Sequence, residues 1–278
     1  MPELPEIETV KRTLTPLLCG RRIIDVRVIK PVVVAYPAPD MFAVRLTGAT
    51  VSALGRRGKY LLIHLDSGDT LIAHLRMTGR FLYTPADHEQ KPHTHVVFSL
   101  DNGSELRFSD MRRFGRLWLM AAGEQDTVSG IHKLGPEPLD AACDAALSAA
   151  YYRDKLASRR VSIKQGLLDQ SVLAGLGNIY VDEALFQSDL DPRRPTAKIK
   201  DAEWQALAKA IPQILQKAIE NNGTTFRDYL DGEGNVGRNL PHLRAYGRAG
   251  QPCLKCGTIM EKLVVAGRGT TFCPRCQK

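Results

Sequence analysis

The chain has 278 residues, 44% hydrophobic and 24% charged, enough for two ordinary domains with real cores. Lys and Arg outnumber Asp and Glu by 38 to 30, and the isoelectric point is about 9.2, which favours a polyanionic partner without excluding a mildly basic soluble protein of another kind. No run approaches the roughly 18 apolar residues of a membrane span, and the acids and prolines at the start are no secretory signal, so a cytoplasmic chain with no membrane partner is expected.

After the opening prolines, Ile7, Val10, Leu14, Leu17 and Leu18 recur at helical spacing, and Gly20 supplies a stop. From Arg22 to Met120 the pattern becomes short and β-rich: Ile23–Ile29, Tyr60–Leu65, Thr70–Leu75, His95–Leu100, Glu105–Phe108 and Leu117–Met120. Asp66-Ser67-Gly68-Asp69 and Asp101-Asn102-Gly103 read as turns between them. A β-sandwich with one flanking helix is expected. Leu134-Gly135-Pro136-Glu137-Pro138-Leu139 reads as a linker, because proline stops helices and sheets alike. Helical periodicity follows in Ala141–Ala157, Ser162–Leu168, Ile179–Gln187 and Ala202–Asn221. Residues 231–239 are rich in Gly and Asn and read as a mobile loop, and a small cysteine module begins at Leu240. Overall this is an α+β multidomain chain.

Cys253, Cys256, Cys273 and Cys276 stand as C-x2-C-x16-C-x2-C, two close pairs able to place four thiolates around one tetrahedral Zn²⁺. So small a module has too little core to fold alone, so the metal supplies much of its folding energy. Two disulfides would conflict with a cytoplasmic location. Four thiolates leave no open coordination position, so the zinc is structural. Cys19 and Cys143 stand apart from this set and read as small buried hydrophobes. Arg268 lies between Gly267 and Gly269 on the hairpin expected between the pairs. It suits a phosphate, or it is an ordinary solvated arginine; the local sequence leaves both open.

The chain opens Met1-Pro2-Glu3-Leu4-Pro5-Glu6. Pro2 is small enough for the initiator methionine to be trimmed, which leaves a secondary amine. An α-amino group titrates near 8, so a useful fraction is uncharged at neutral pH. Attack on a sugar carbon would give an iminium electron sink, with Glu3 beside it as general acid/base. Many chains open Met-Pro with nothing more than a frayed terminus, and both readings stand on these residues alone.

Several motifs then resemble the formamidopyrimidine-DNA glycosylase family. They run in order: Pro2-Glu3-Leu4-Pro5-Glu6-Ile7-Glu8-Thr9-Val10, Gly55–Leu62, His74–Gly79, Arg112–Gly115, Leu134–Leu139, Ala174–Phe186, and the zinc segment up to Cys276. The resemblance covers essentially the whole chain. It implies an N-terminal catalytic β-sandwich with flanking helix (1–133), a linker (134–139), a helix–two-turn–helix DNA-binding domain with a lesion-covering loop (140–239) and a four-cysteine zinc-binding β-hairpin (240–278).

By resemblance, Pro2 is the Schiff-base nucleophile and Glu3 the proton donor. Lys59 serves proton transfer in β-elimination, and Arg268 grips phosphate and serves δ-elimination. Met77, Arg112 and Phe114 match the wedge that fills the gap left by an extruded nucleotide. From the local sequence alone, Met77 and Phe114 read as core residues, although Gly79 and Gly115 beside them favour loop tips. His74, His93, Arg159, Lys164 and Asn178 match DNA- or lesion-contacting positions, with helix capping the alternative for Asn178. The chain departs from the family in having Arg159 and Arg160 where lysine is frequent, which keeps the charge but not the contact geometry.

The implied activity is excision of oxidised purines from damaged double-stranded DNA followed by β,δ-elimination, by a monomer with one structural Zn²⁺ and no organic cofactor. An endonuclease VIII-type preference for oxidised pyrimidines is the near alternative. Leu4 and the Met77/Arg112/Phe114 set resemble the purine-directed branch. A non-catalytic DNA-binding protein is the alternative of a different class.

Overall fold

The computed structural model describes residues 1–139 and 148–278. Its contacts group into two compact units, Met1–His132 with Asn221–Arg238, and Lys133–Glu220 with Asn239–Lys278. Among the described residues, no helix is long and apolar enough to cross a membrane.

The first unit opens with α1 (Leu4–Leu18), which starts three residues before the apolar periodicity. Glu3 is its N-cap in a reciprocal capping box: the Glu3 side chain accepts from the Glu6 backbone, and Glu6 Oε2 accepts from Glu3 N–H at 2.7 Å. Pro5 sits in the first turn, where a missing N–H leaves no hydrogen bond unmade. The strands are β1 (Ile23–Val28), β2 (Val34–Tyr36), β3 (Val51–Arg57), β4 (Tyr60–Leu65), β5 (Thr70–His74), β6 (Gly79–Pro85), β7 (Thr94–Leu100), β8 (Ser104–Asp110) and β9 (Arg116–Met120), with a short helix α2 (Pro39–Leu46) before β3.

They form a four-stranded sheet, β1-β7-β8-β6, and a five-stranded sheet, β2-β9-β5-β4-β3. Leu61, Ile63, Leu71, Ala73, Leu117 and Leu119 from the larger sheet share one core with Val26, Phe81, Val96, Phe98, Leu106 and Phe108 from the smaller. Ile7, Val10, Leu14 and Leu18 of α1 enter the same cluster.

The 221–238 segment, expected with the helical domain, packs in this unit through contacts with residues far away in sequence. Tyr229 is buried in the sandwich core, Gly232 O accepts from Tyr83 N–H at 2.8 Å, and Gly232 N–H donates to Thr13 Oγ1 at 3.1 Å. Its tip is ordered by Asp231, whose Oδ1 accepts from the N–H groups of Glu233 and Asn235.

The second unit is helical. Its described helices are α3 (Ala149–Leu156), α4 (Ile163–Leu168), α5 (Asn178–Gln187) and α6 (Asp201–Glu220). Ser148 and Ser162 cap α3 and α4 by accepting from Tyr151 and Gln165 N–H. The first part of the expected helix Ala141–Ala157, and Cys143 with it, lies outside the described residues. The 134–139 stretch is bound into this unit: Gly135 N–H donates to Gln170 O at 2.8 Å, and Pro136 O accepts from Ala174 N–H at 3.0 Å.

The chain ends in a hairpin, β10 (Glu261–Val265) with β11 (Arg268–Phe272), in which Val265 pairs with Arg268. Ala266 and Gly267, at φ of 50° and 70°, form its two-residue turn. Among the described residues, Phe186, Ala245, Cys253, Met260 and Cys273 form a small apolar cluster around the cysteines.

Gly79 fixes the turn from β5 into β6, because a Cβ there would lie 2.4 Å from the Leu75 carbonyl oxygen, a backbone atom that cannot step aside. Gly79→Ala is expected to destabilise the first unit by about 1–3 kcal/mol. Denaturant unfolding checks this; an unchanged midpoint would contradict the packing.

Candidate active site and nucleic-acid interface

The chain start is buried. Met1 is 46% exposed, whereas Pro2 is buried, and Glu3 and Glu6 are 2% and 1% exposed. The Glu6 carboxylate holds this start in place. Oε2 accepts from Glu3 N–H, and Oε1 accepts from Thr224 N–H at 2.8 Å, at the root of the 221–238 segment. Tyr229 Oη adds a bond to Glu6 O at 3.3 Å.

Lys59 is positioned through α1. Glu8 Oε2 lies 3.2 Å from Arg56 Nε, and Arg56 Nη1 donates to Gly58 O at 3.1 Å. Gly58, at φ 55°, makes the β3–β4 turn, and Lys59 follows it at 7% exposure. Such burial is incompatible with a merely solvated cation. His74 is buried on β5, edge-on to Tyr60 with ring centroids 4.6 Å apart. Its Nδ1 accepts from Arg76 N–H at 3.1 Å. Burial, together with the cations of Arg76 and Lys59, holds its pKa down at about 3, so the ring is neutral at physiological pH.

Met77, Arg112 and Phe114 come together at the surface. Met77 and Phe114 are 44% and 48% exposed. The Arg112 guanidinium lies over the Phe114 ring at 4.6 Å, and its Nη1 contacts Met77 Sδ at 2.9 Å. Exposure of two large apolar side chains excludes the core reading. His93, at φ 67°, is exposed beside a cavity of about 180 Å³ that Arg80, Asp110 and Arg227 also line.

In the second unit the four sulfurs of Cys253, Cys256, Cys273 and Cys276 lie within 4.8 Å of one another. Cys253–Cys276 and Cys256–Cys273 are 3.9 and 3.6 Å apart. A tetrahedron with Zn–S bonds of about 2.3 Å has edges of about 3.8 Å, so the donor set fits zinc. Backbone N–H groups of Lys255 and Cys276 point at the Cys253 and Cys273 sulfurs, each at 3.4 Å, as thiolates require. The arrangement is that of one structural zinc.

Arg268 opens β11 beside the hairpin turn and is exposed. Asn178 is the first residue of α5, whose N-cap is Gly177 with no side-chain cap. Instead of capping, Asn178 Nδ2 donates to Gly269 O at 2.8 Å, next to Arg268. Arg159 is paired with Asp169 at 2.6 Å and remains half-exposed.

Lys164 corrects the expectation of a DNA contact. It is fully buried, its Nζ is 2.5 Å from Asp182 Oδ1 and 2.8 Å from Thr270 Oγ1, and it has no surface to offer a phosphate. The charge that fits a DNA-contacting lysine in sequence is consumed by a buried ion pair, and its role is to hold β11 against α5.

Sequence reasoning missed four acidic residues that do much of the positioning. Glu6 and Asp110 fix backbone in the first unit. Asp110 is fully buried and accepts from Gly115 N–H at 2.7 Å and Arg112 N–H at 3.1 Å. In the second unit Asp182 accepts from Thr271 N–H at 3.1 Å; burial raises its pKa to about 6, against the opposing pull of Lys164. Glu183 gathers the N–H groups of Arg244, Ala245 and Tyr246. The available signal was acids inside otherwise apolar runs, as in the helix from Asn178.

Three family descriptions match in order: the formamidopyrimidine-DNA glycosylase N-terminal domain over residues 1–117, the formamidopyrimidine-DNA glycosylase H2TH domain over 134–229, and the zinc finger found in FPG and IleRS over 250–278. A formamidopyrimidine-DNA glycosylase of Moorella thermoacetica is 52% identical over 263 residues, covering 95% of this chain and 94% of that protein. A Lactococcus lactis FPG mutant, solved in complex with DNA containing Fapy-dG, superimposes with a TM-score of 0.90 at 35% identity over 100% of both chains. A MutM structure in complex with DNA containing carbocyclic 8-oxo-G gives 0.90 and 35%, again over both whole chains. The chain belongs to the formamidopyrimidine-DNA glycosylase family.

The His74 environment sets a pH dependence. Its folded pKa is depressed below the unfolded value of 6.5, so the folded state binds fewer protons; its contribution is fully present above pH 6.5 and is lost as pH falls toward 3. Between pH 6.5 and 5 the wild type should lose about 2 kcal/mol more stability than His74→Asn. Denaturant unfolding of both proteins at the two pH values measures this, and parallel losses would contradict it.

Proposed function

We propose that this chain is a bifunctional DNA glycosylase and abasic-site lyase that removes oxidised purines, 8-oxoguanine and formamidopyrimidines, from duplex DNA. Family membership over the full length supports the class, and relatives solved with Fapy-dG and 8-oxo-G DNA support the substrate. The observation that carries the reading is the buried, pinned chain start, because a nucleophilic terminus must be held where the sugar arrives.

With Met1 removed, the Pro2 nitrogen attacks C1′ of the damaged nucleoside. The C1′–N bond to the base breaks as the ring opens, with Glu3 donating the proton. The resulting iminium withdraws electrons from C2′. Loss of a C2′ proton, in which Lys59 takes part, expels the 3′ phosphate; loss of a C4′ proton into the conjugated iminium then expels the 5′ phosphate. Arg268 grips phosphate and supplies the proton for that last step. Water finally hydrolyses the iminium and frees the Pro2 amine.

Met77 and Phe114 fill the gap in the stack, and Arg112 bonds the orphaned base. His93, Asn178 and Arg159 contact DNA, whereas His74 and Lys164 act from within by holding the chain that does. Bound zinc supplies rigidity to the hairpin, and its four thiolates leave it no part in the chemistry. The working division is 1–133 catalytic, 134–139 linking, 140–239 DNA-binding with a lesion-covering loop whose 221–238 segment packs in the first unit, and 240–278 zinc-binding. A cytoplasmic site of action follows from the need for reduced thiolates.

Excision from duplexes carrying 8-oxoguanine opposite cytosine, against the same duplex with thymine glycol, tests the substrate class. At least tenfold faster release of 8-oxoguanine is expected. Preference for thymine glycol would assign the chain to pyrimidine damage instead.

A further inference from the structure

The wedge side chains come from two separate loops, which touch at the exposed Arg112–Met77 contact and are also joined beneath it by a buried group. Met77 lies between β5 and β6, and Arg112 and Phe114 lie between β8 and β9. The two loops start from paired strand ends, since Gly79 of β6 is directly opposite Asp110 of β8. Each contains a non-glycine residue in the left-handed region, Arg76 and Arg113, both at φ 56°. Such backbone persists only where its surroundings over-determine it.

Arg76 N–H is held by His74 Nδ1 and Arg113 N–H by the Asp110 carbonyl, and the group that joins the two loops is the carboxylate of Asp110. Oδ1 accepts from the Thr78 hydroxyl, next to Met77, and from Arg112 N–H. Oδ2 accepts from Gly115 N–H, next to Phe114. Arg112 N–H is shared with Thr78 Oγ1 at 3.2 Å, which closes the bridge between the loops. Asp110 is itself fixed by its main chain: its N–H donates to His93 O at 3.0 Å, and its carbonyl lies 2.7 Å from His95 Nε2. Gly115 permits the closest part of the arrangement, since a Cβ there would lie 2.8 Å from the Phe108 ring and 3.1 Å from Asp110 Oδ2.

We infer that Asp110 is the positioning residue that presets the two-loop wedge, so that Met77, Arg112 and Phe114 enter the duplex as one body. The inference rests on the wedge reading above and adds the group that assembles it. Two wedge loops that moved independently would have to be ordered at each encounter, and the entropy of doing so would fall on the nucleotide-extrusion step. Two N–H groups and a hydroxyl converge on the buried carboxylate, which accepts from all three. Asparagine has the same shape but turns one oxygen into a donor, which then faces either Gly115 N–H or the Thr78–Arg112 pair.

The test compares two substrates that differ only in whether the lesion must be extruded. One carries 8-oxoguanine in a fully paired duplex; the other carries it in a three-nucleotide bubble, already unstacked. Asp110→Asn should slow excision from the duplex at least tenfold while leaving the bubble within twofold of wild type. Equal slowing on both substrates, or none on either, would overturn the inference. Thr78→Val, which removes only the hydroxyl that joins the loops, should lower the duplex-to-bubble ratio severalfold and keeps the question open to refutation even if Asp110→Asn does not fold. An unchanged ratio in Thr78→Val would overturn it. Phe114→Ala is the control: if it lowers the ratio and the Asp110 and Thr78 variants do not, the presetting role falls and the wedge survives. If Phe114→Ala also leaves the ratio unchanged, the wedge reading itself falls.

Discussion

One carboxylate makes the start of this chain usable. Chain termini ordinarily fray, because the first residues lack enough bonds to offset the entropy of holding them. Here Glu6 spends both oxygens on backbone N–H groups, one at Glu3 and one at Thr224. The first closes the capping box that starts α1 at Leu4 and so fixes Glu3 and Pro2 to a rigid helix. The second ties that helix to the segment that returns from far along the sequence. Each N–H is buried and would be destabilising by about 1–3 kcal/mol if left unpaired, so the arrangement is set firmly.

The same device recurs wherever a functional side chain must be presented without a helix or strand beneath it. Asp110 gathers the turn below Arg112 and Phe114, Asp231 gathers the tip of the 221–238 segment, and Glu183 gathers the three residues that lead into the zinc module. In each case a buried acid satisfies main-chain donors that no ladder serves. This frees the outer surface to carry side chains the fold itself would not choose. Burying a phenylalanine ordinarily stabilises a protein by about 1.5–3 kcal/mol, and Phe114 and Met77 forgo that in order to remain outside. The zinc module follows a related logic, with four thiolates replacing a core that so short a segment cannot build.

Much of this was legible in the sequence, for identifiable reasons. The strands Tyr60–Leu65 and Thr70–His74 stood out because β-rich runs were bracketed by a turn, and the zinc site because cysteine spacing is nearly sufficient by itself. Strand β3 was illegible: Val51-Ser52-Ala53-Leu54-Gly55-Arg56-Arg57 has little alternation and becomes a strand by pairing with β4, Leu54 opposite Ile63. Helix α2, with eight residues, was too short to display a period. The return of 221–238 to the first unit depends on long-range bonds to Glu6 and Thr13 that no local pattern encodes. Lys164 marks the limit of resemblance: a lysine in a matching position tells where a charge is, and only the neighbouring Asp182 and Thr270 tell which way it faces. Cys19, expected to be buried, is half-buried, because it falls at the C-cap of α1, one residue past the last buried leucine.

The claim on which the chemistry turns is that a free Pro2 amine forms the covalent intermediate. Its most direct measurement is borohydride reduction of the protein on 8-oxoguanine duplex DNA, with the adduct mapped by mass after proteolysis, for chains with and without Met1. The expected result is a single adduct on the Pro2 nitrogen in chains that begin at Pro2, and none in chains that retain Met1, where that nitrogen is an amide. An adduct on Lys59 Nζ, or trapping undiminished by a retained Met1, would contradict it.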